Sequence, residues 1–240
     1  MQYNDRDDLW DLIPLVGDFV RAGKLGYKFG EILGDKIFGN SKTDRIIKTM
    51  LEQISETNLT EDISGSFERI EEVKALYGQI DYDNIKKYQL CSLLYVMTHC
   101  YNADAIFLWV AIMYKLQESN NPKESLELLR EKANDVENNF KEALEINAKI
   151  YEIEITTFTL KKSLISTIKN SGREQCSAIK NYRQAFREYR QEKEEELKEE
   201  IKRSLLSTAS TSADNSTSKW WIIPLIIIVI AIIACFIFIA

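Results

Sequence analysis

Proline is nearly missing from this chain: 3 residues in 240, alongside only 9 glycines. So few breakers cannot punctuate the many short strands and turns of an all-β fold. With abundant Lys, Glu, Ile and Leu, they favour long helices. Histidine occurs once and cysteine four times. Cys91, Cys100, Cys176 and Cys235 are too few and too scattered for a disulfide framework, which fits a reducing compartment. A zinc site would need nitrogen and sulfur ligands at suitable spacing. Cys91 lies eight residues before His99 and Cys176 is remote, so no metal is expected. His99 and Cys100 are neighbours, and adjacent residues on a helix point apart, which excludes a thiol–base pair. His99 is expected as a packed core residue.

A basic surface is missing too. Lys and Arg total 31 against 37 Asp and Glu, a net charge of −6, and the pI is about 5.1. Phosphate binding needs a basic footprint, and no basic stripe with interleaved aromatics occurs, so nucleic acid is excluded as the main partner. Walker sequences, dinucleotide fingerprints and nucleophile elbows are likewise missing. The stretch GKLGYKFG (23–30) lacks the lysine and hydroxyl that a phosphate loop carries directly after its last glycine. Neither a cofactor nor an enzymatic activity is expected.

What is present begins at the C-terminus. Trp220 to Ala240 reads WWIIPLIIIVIAIIACFIFIA, 21 residues without a charge. At 1.5 Å per residue they span about 31 Å, the hydrocarbon thickness of a bilayer. Ile222, Leu225, Ile228, Ile232, Phe236 and Ile239 supply the apolar surface, with Trp220 and Trp221 at the interface and Lys219 on the aqueous side. Pro224 falls in the first turn or so, where a missing N–H costs little. A buried core helix rarely runs this long without a polar face. The acidic start MQYNDRDDLWDLIP has no signal-peptide shape, so a tail-anchored, single-pass topology with a cytosolic body is expected. Lys202, Arg203 and Lys219 on the flank agree with the positive-inside rule. A small-residue stretch before a hydrophobic tail also resembles a GPI signal, but that signal acts only on chains delivered to the lumen. The sequons at Asn58 and Asn215 are expected to stay unused. A long Ile-rich anchor with no basic tail favours the endoplasmic reticulum or a downstream organelle over the mitochondrial outer membrane.

Residues 9–38 are the second unusual segment. Ala22, Gly26, Gly30 and Gly34 recur every four residues and would form a ridge of small side chains on a helix, inviting close approach of another helix. Leu25, Phe29, Ile32, Leu33 and Ile37 lie beside it, while Lys24, Lys28, Glu31, Asp35 and Lys36 exclude a second span. An intramolecular contact, an interfacial helix on a membrane and an oligomer or partner contact all fit this pattern.

Further along, a loop at Gly39-Asn40-Ser41 precedes a helix with Ile46, Ile47, Met50, Leu51 and Ile54 on one face. The stretch 57–66 breaks it, a short amphipathic helix follows over 67–78, and Asp81-Tyr82-Asp83-Asn84 offers turn and cap residues. Residues 85–117 are apolar on nearly all sides, and His99, Asn102 and Asp104 in their middle argue for a core helix rather than a bilayer. Asn121-Pro122-Lys123-Glu124 is a helix start, and a long helix is expected from there to about Ser171, continuing past Gly172 or turning back there. Leu144, Tyr151, Phe158 and Ile165 are spaced by seven, a coiled-coil-like seam that Ile168, Ile179, Tyr182, Phe186 and Tyr189 extend.

The expected fold is therefore an all-α, multi-helix bundle with long coiled-coil-like C-terminal helices, a flexible tether and one transmembrane helix. Its parts are a glycine-ridged amphipathic segment (1–40), a helical core (41–118), a long helical hairpin or stalk (119–206), a tether (207–219) and the anchor (220–240). Seam, tether and anchor are the layout of a SNARE, and Gln175 falls in register for a polar layer. Lys193, Glu196, Glu200 and Arg203 then occupy positions that should be apolar, so no resemblance to that family is drawn. The expected partners are the lipid bilayer and a protein, either unidentified or a second copy of the chain. The favoured function is an interaction or tethering module. The alternative is a membrane-active pore-former or remodelling protein using residues 9–38, with SNARE-like fusion behind it.

Overall fold

The computed structural model describes residues 38–57, 63–154 and 160–213. Among them are five helices and no strand: α1 (Lys42–Ser55), α2 (Ile63–Tyr77), α3 (Lys87–Glu118), α4 (Pro122–Glu152) and α5 (Leu160–Ala213). The ridge Ala22, Gly26, Gly30, Gly34 and the anchor from Trp220 to Ala240 lie outside the described residues.

Local chemistry sets the starts. Ser41 caps α1, its Oγ accepting from the Asp44 N–H at 3.1 Å. Asn121 caps α4 by accepting from the Lys123 N–H at 3.1 Å, with Pro122 in the first turn, where its missing N–H is harmless. At α3 the expectation holds in part. Asp81 and Asn84 belong to the preceding turn, joined at 2.9 Å. The helix itself begins after Lys86, whose N–H donates to the Gln89 side chain at 2.8 Å.

α3 is the centre of the bundle and packs against each of the other four helices. It is also, among the described residues, the one helix long and apolar enough to cross a membrane, but 61% of its most apolar window is buried inside the protein. Its all-round apolarity is met by neighbouring helices. α1 presents Ile46, Ile47, Met50, Leu51 and Ile54 to this core, each such side chain contributing about 1.5–3 kcal/mol on burial. A three-residue connection turns α3 into α4. α4 and α5 run antiparallel: Tyr151 meets Lys169, Asn147 meets Gly172, Glu137 meets Arg183 and Arg130 meets Glu194.

α2 starts at Ile63, four residues earlier than expected, and two larger differences from the sequence expectation follow. α4 ends at Glu152 and α5 starts at Leu160, so the turn precedes Gly172, which lies inside α5. The intervening residues Ile153-Glu154-Ile155-Thr156-Thr157 are mostly β-branched, and such side chains lose rotamer freedom in a helix. The seam is thereby divided between two helices. Leu144 and Tyr151 are on α4, Ile165 is on α5, and Phe158 lies outside the described residues. Second, α5 continues to Ala213, seven residues into the stretch expected as tether. Extending an existing long helix costs far less than nucleating one, which carries weak formers such as Ser and Thr along. At 54 residues, α5 is about 81 Å long against about 46 Å for the 31 residues of α4. Its end projects beyond the bundle, with Leu205 and Leu206 exposed.

Candidate functional site

Three buried polar groupings stand out. The first joins α1 to the start of α3. Asp44 is 2% exposed, and its carboxylate accepts from Ser41 Oγ at 2.7 Å, Tyr88 OH at 2.7 Å and Gln89 Nε2 at 2.8 Å. Burial works against its charge, but the three donors outweigh burial and hold the pKa below the ordinary aspartate value. Tyr88 is shifted upward by burial and by the carboxylate it donates to. Gly39 keeps the site tight, since a Cβ there would come within 3.0 Å of Asp44 Oδ2.

The second surrounds the single histidine. His99 Nε2 lies 3.2 Å from Thr57 Oγ1, which also donates to the Ile54 carbonyl at 2.7 Å. Burial pushes the imidazole down to about 4, so it is neutral at pH 7. The neighbouring Cys100 points elsewhere and accepts from Tyr77 OH at 3.3 Å. Burial raises the Cys91 and Cys100 thiols to about 12, which leaves both protonated and unreactive at neutral pH. No group of three or more metal-ligating side chains occurs among the described residues.

The third crosses the middle of the bundle. The buried apolar residues form two clusters rather than one. On α3 the changeover falls between Ala103 and Ala105, on α4 between Ala143 and Ile150, and on α5 between Ile168 and Ile179. Asn102, Asn147 and Gln175 are buried polar residues in this middle part of the bundle, 2%, 1% and 3% exposed. Asn147 Nδ2 donates to the Gly172 carbonyl at 3.1 Å. Asn147 Oδ1, Asn102 Oδ1 and both amide atoms of Gln175 have no hydrogen-bond partner among the described residues. Gly172 permits the close contact, since a Cβ there would meet Tyr151 OH at 3.1 Å and Asn147 Nδ2 at 3.5 Å. Sequence reasoning had picked out Gln175, which the structure buries inside α5.

Charge pairs line the α4–α5 seam. Glu137 accepts from Arg183 Nε at 2.7 Å and from Arg187 Nε at 2.6 Å. Its burial disfavours the charge, but the two guanidinium groups prevail and lower its pKa. Lys169 Nζ donates to the Tyr151 and Ile153 carbonyls at 3.3 and 2.7 Å, and Lys87 Nζ to the Glu154 carbonyl at 2.9 Å. These bonds satisfy the open C-terminal end of α4. Lys74 bridges α2 to α3, reaching Asp104 at 2.6 Å and Glu71 at 2.7 Å. An open groove between the C-terminal end of α3 and the 189–196 stretch of α5 is lined by Met113, Leu116, Tyr189, Glu192, Lys193 and Glu196.

These groupings hold helices together: each buried polar atom that is bonded meets another element of the bundle, its own backbone or a cap. No protein-family model matches the chain, and neither the curated proteins nor the solved structures compared with it yield a match.

Proposed function

We propose that this is a single-pass, tail-anchored membrane protein whose helical body serves as a protein-interaction or tethering module on the cytosolic face. The observation that carries the reading is the charge-free run from Trp220 to Ala240, with its paired tryptophans behind Lys219. The length of α5 supports it. That helix ends at Ala213, leaving residues 214–219 before the anchor. Six residues reach at most about 21 Å, so the body is held near the bilayer with the α3–α4 turn on the membrane side. The endoplasmic reticulum or a downstream organelle is the expected membrane, and the body recruits a protein partner or a second copy of the chain without catalysing a reaction.

The test compares the full chain with one ending at Lys219 in cells, by membrane pelleting and alkaline carbonate extraction. The full chain is expected to resist extraction and the shortened one to remain soluble. A shortened chain that still pelleted with membranes would transfer support to the second reading, in which residues 9–38 act on membranes directly. The small-residue ridge of Ala22, Gly26, Gly30 and Gly34 favours that alternative.

A further inference from the structure

We infer, resting on the anchored topology proposed above, that the projecting end of α5 at Leu205 and Leu206 is the surface through which two copies of the chain pair side by side on one membrane. Among the described residues these are the most exposed large apolar side chains, at 66% and 63%. Isolated exposed leucines are common on protein surfaces. Two adjacent ones at the tip of a helix that has outrun its partners are a different case.

The helix lengths set this up. The Arg130–Glu194 pair fixes the register of α4 against α5. Because the two run antiparallel, Pro122 at the start of α4 stands level with about residue 202 of α5. α3 ends at about the same height, joined to α4 by three residues. α5 runs on to Ala213, about 16 Å past the point where α3 and α4 can cover it. Before that point, Leu197 is buried and Ile201 packs against the same apolar cluster. Leu205 continues their four-residue step beyond the cover, and Leu206 widens the apolar face by about 100°.

Chain connectivity selects the occupant. Residues 214–219 separate α5 from the anchor and reach at most about 21 Å. Copies anchored in one bilayer therefore stand parallel, with their α5 ends at similar heights. Confinement to that thin layer raises their effective concentration for one another. The same patch meets itself across a two-fold axis along the membrane normal, the self-complementary contact usual in dimers of identical chains. Charge permits the approach. Glu199, Glu200, Lys202 and Arg203, just before the leucines, sum to zero, and Ser204–Ala213 carries no charge. Lys202 lies 3.7 Å from Glu199 of its own helix, so its charge is met before a copy arrives.

Disulfide capture of the purified full chain in phosphatidylcholine liposomes tests this. Cys176→Ser and Cys235→Ser are made first, which leaves the buried Cys91 and Cys100. A single cysteine is then placed by Leu205→Cys or, as a control on the exposed side of α5 within the body, by Lys180→Cys. Mild oxidation is expected to give at least about tenfold more dimer from Leu205→Cys than from Lys180→Cys. Energy transfer between donor- and acceptor-labelled chains should fall at least about fivefold with Leu205→Glu and Leu206→Glu together, while helicity and resistance to carbonate extraction stay unchanged. Equal capture at both positions, or transfer that survives the double substitution, would overturn the pairing. So would an anchored chain that stays monomeric, the result if the bilayer or another protein covers the leucines. Carbonate extraction of the wild-type chain would overturn the anchored reading and this pairing with it.

Discussion

Lowering the pH from 7 to 5 is expected to cost the body about 2 kcal/mol through His99 alone. The imidazole is 4% exposed, stands against Thr57, and burial holds it at about 4. In the unfolded chain it titrates near 6.5. A folded-state value below the unfolded one means that the unfolded chain binds the proton first. Stability is therefore full above about pH 6.5, falls as the pH drops toward 4, and levels off below that. The whole gap amounts to about 3 kcal/mol, of which about two-thirds has accrued at pH 5. Acid also titrates carboxylates, so the measurement is a comparison. Urea unfolding of the full chain in non-ionic micelles, followed by far-UV circular dichroism, is run at both pH values on wild type and on His99→Gln. The substitution removes the titration while Asp44, Asp104 and Glu137 titrate in both chains. The wild type should lose about 2 kcal/mol more than the variant. Parallel losses, within about 0.5 kcal/mol, would refute the assignment of His99 as a buried neutral residue.

Other consequences are equally direct. Asp44→Ala removes the acceptor for Tyr88 and Gln89 and leaves both buried donors unpaired, so the unfolding free energy should drop by about 3 kcal/mol or more, visible as a lower urea midpoint. Gly172→Leu drives a side chain into Tyr151 and Asn147 and is expected to cost about 1–3 kcal/mol in the same assay, whereas a leucine tolerated without loss would contradict the close α4–α5 contact. Among Cys91, Cys100 and Cys176, a thiol-specific maleimide should label Cys176 in the folded chain and reach the other two only on unfolding, because both are buried and pushed up to about 12.

Where a feature is local, the sequence shows it plainly. Ser41 and Asn121 cap their helices with their own side chains, and the apolar spacing of Ile46, Ile47, Met50, Leu51 and Ile54 matches one face of α1. The even apolarity of residues 85–117 corresponds to a core helix because four partners cover it. The α4–α5 turn was obscured for a physical reason. The β-branched residues after Glu152 weaken a helix while Phe158 and Ile165 keep the seven-residue spacing, so periodicity bridged a place where propensity broke. Gly172 misled in the opposite sense. Glycine is the usual breaker, but at this position it serves a close approach between helices, which only the folded chain reveals. The Asp44 site had one local trace, a Ser three residues before an Asp. Its two further donors come from the start of α3, more than forty residues away in sequence. The same holds for the burial of Asn102, Asn147 and Gln175, which lie on three helices.

The anchored topology is tested most directly by topology itself. A short tag bearing an acceptor asparagine is appended after Ala240, and the finished chain is added to endoplasmic reticulum microsomes once translation has been stopped. The account predicts that the tag becomes glycosylated and protected from protease, while Asn58 and Asn215 stay unmodified and the body is digested. A tag that stays unmodified and accessible, or glycans on Asn58 or Asn215, would contradict a cytosolic body held by a C-terminal membrane helix.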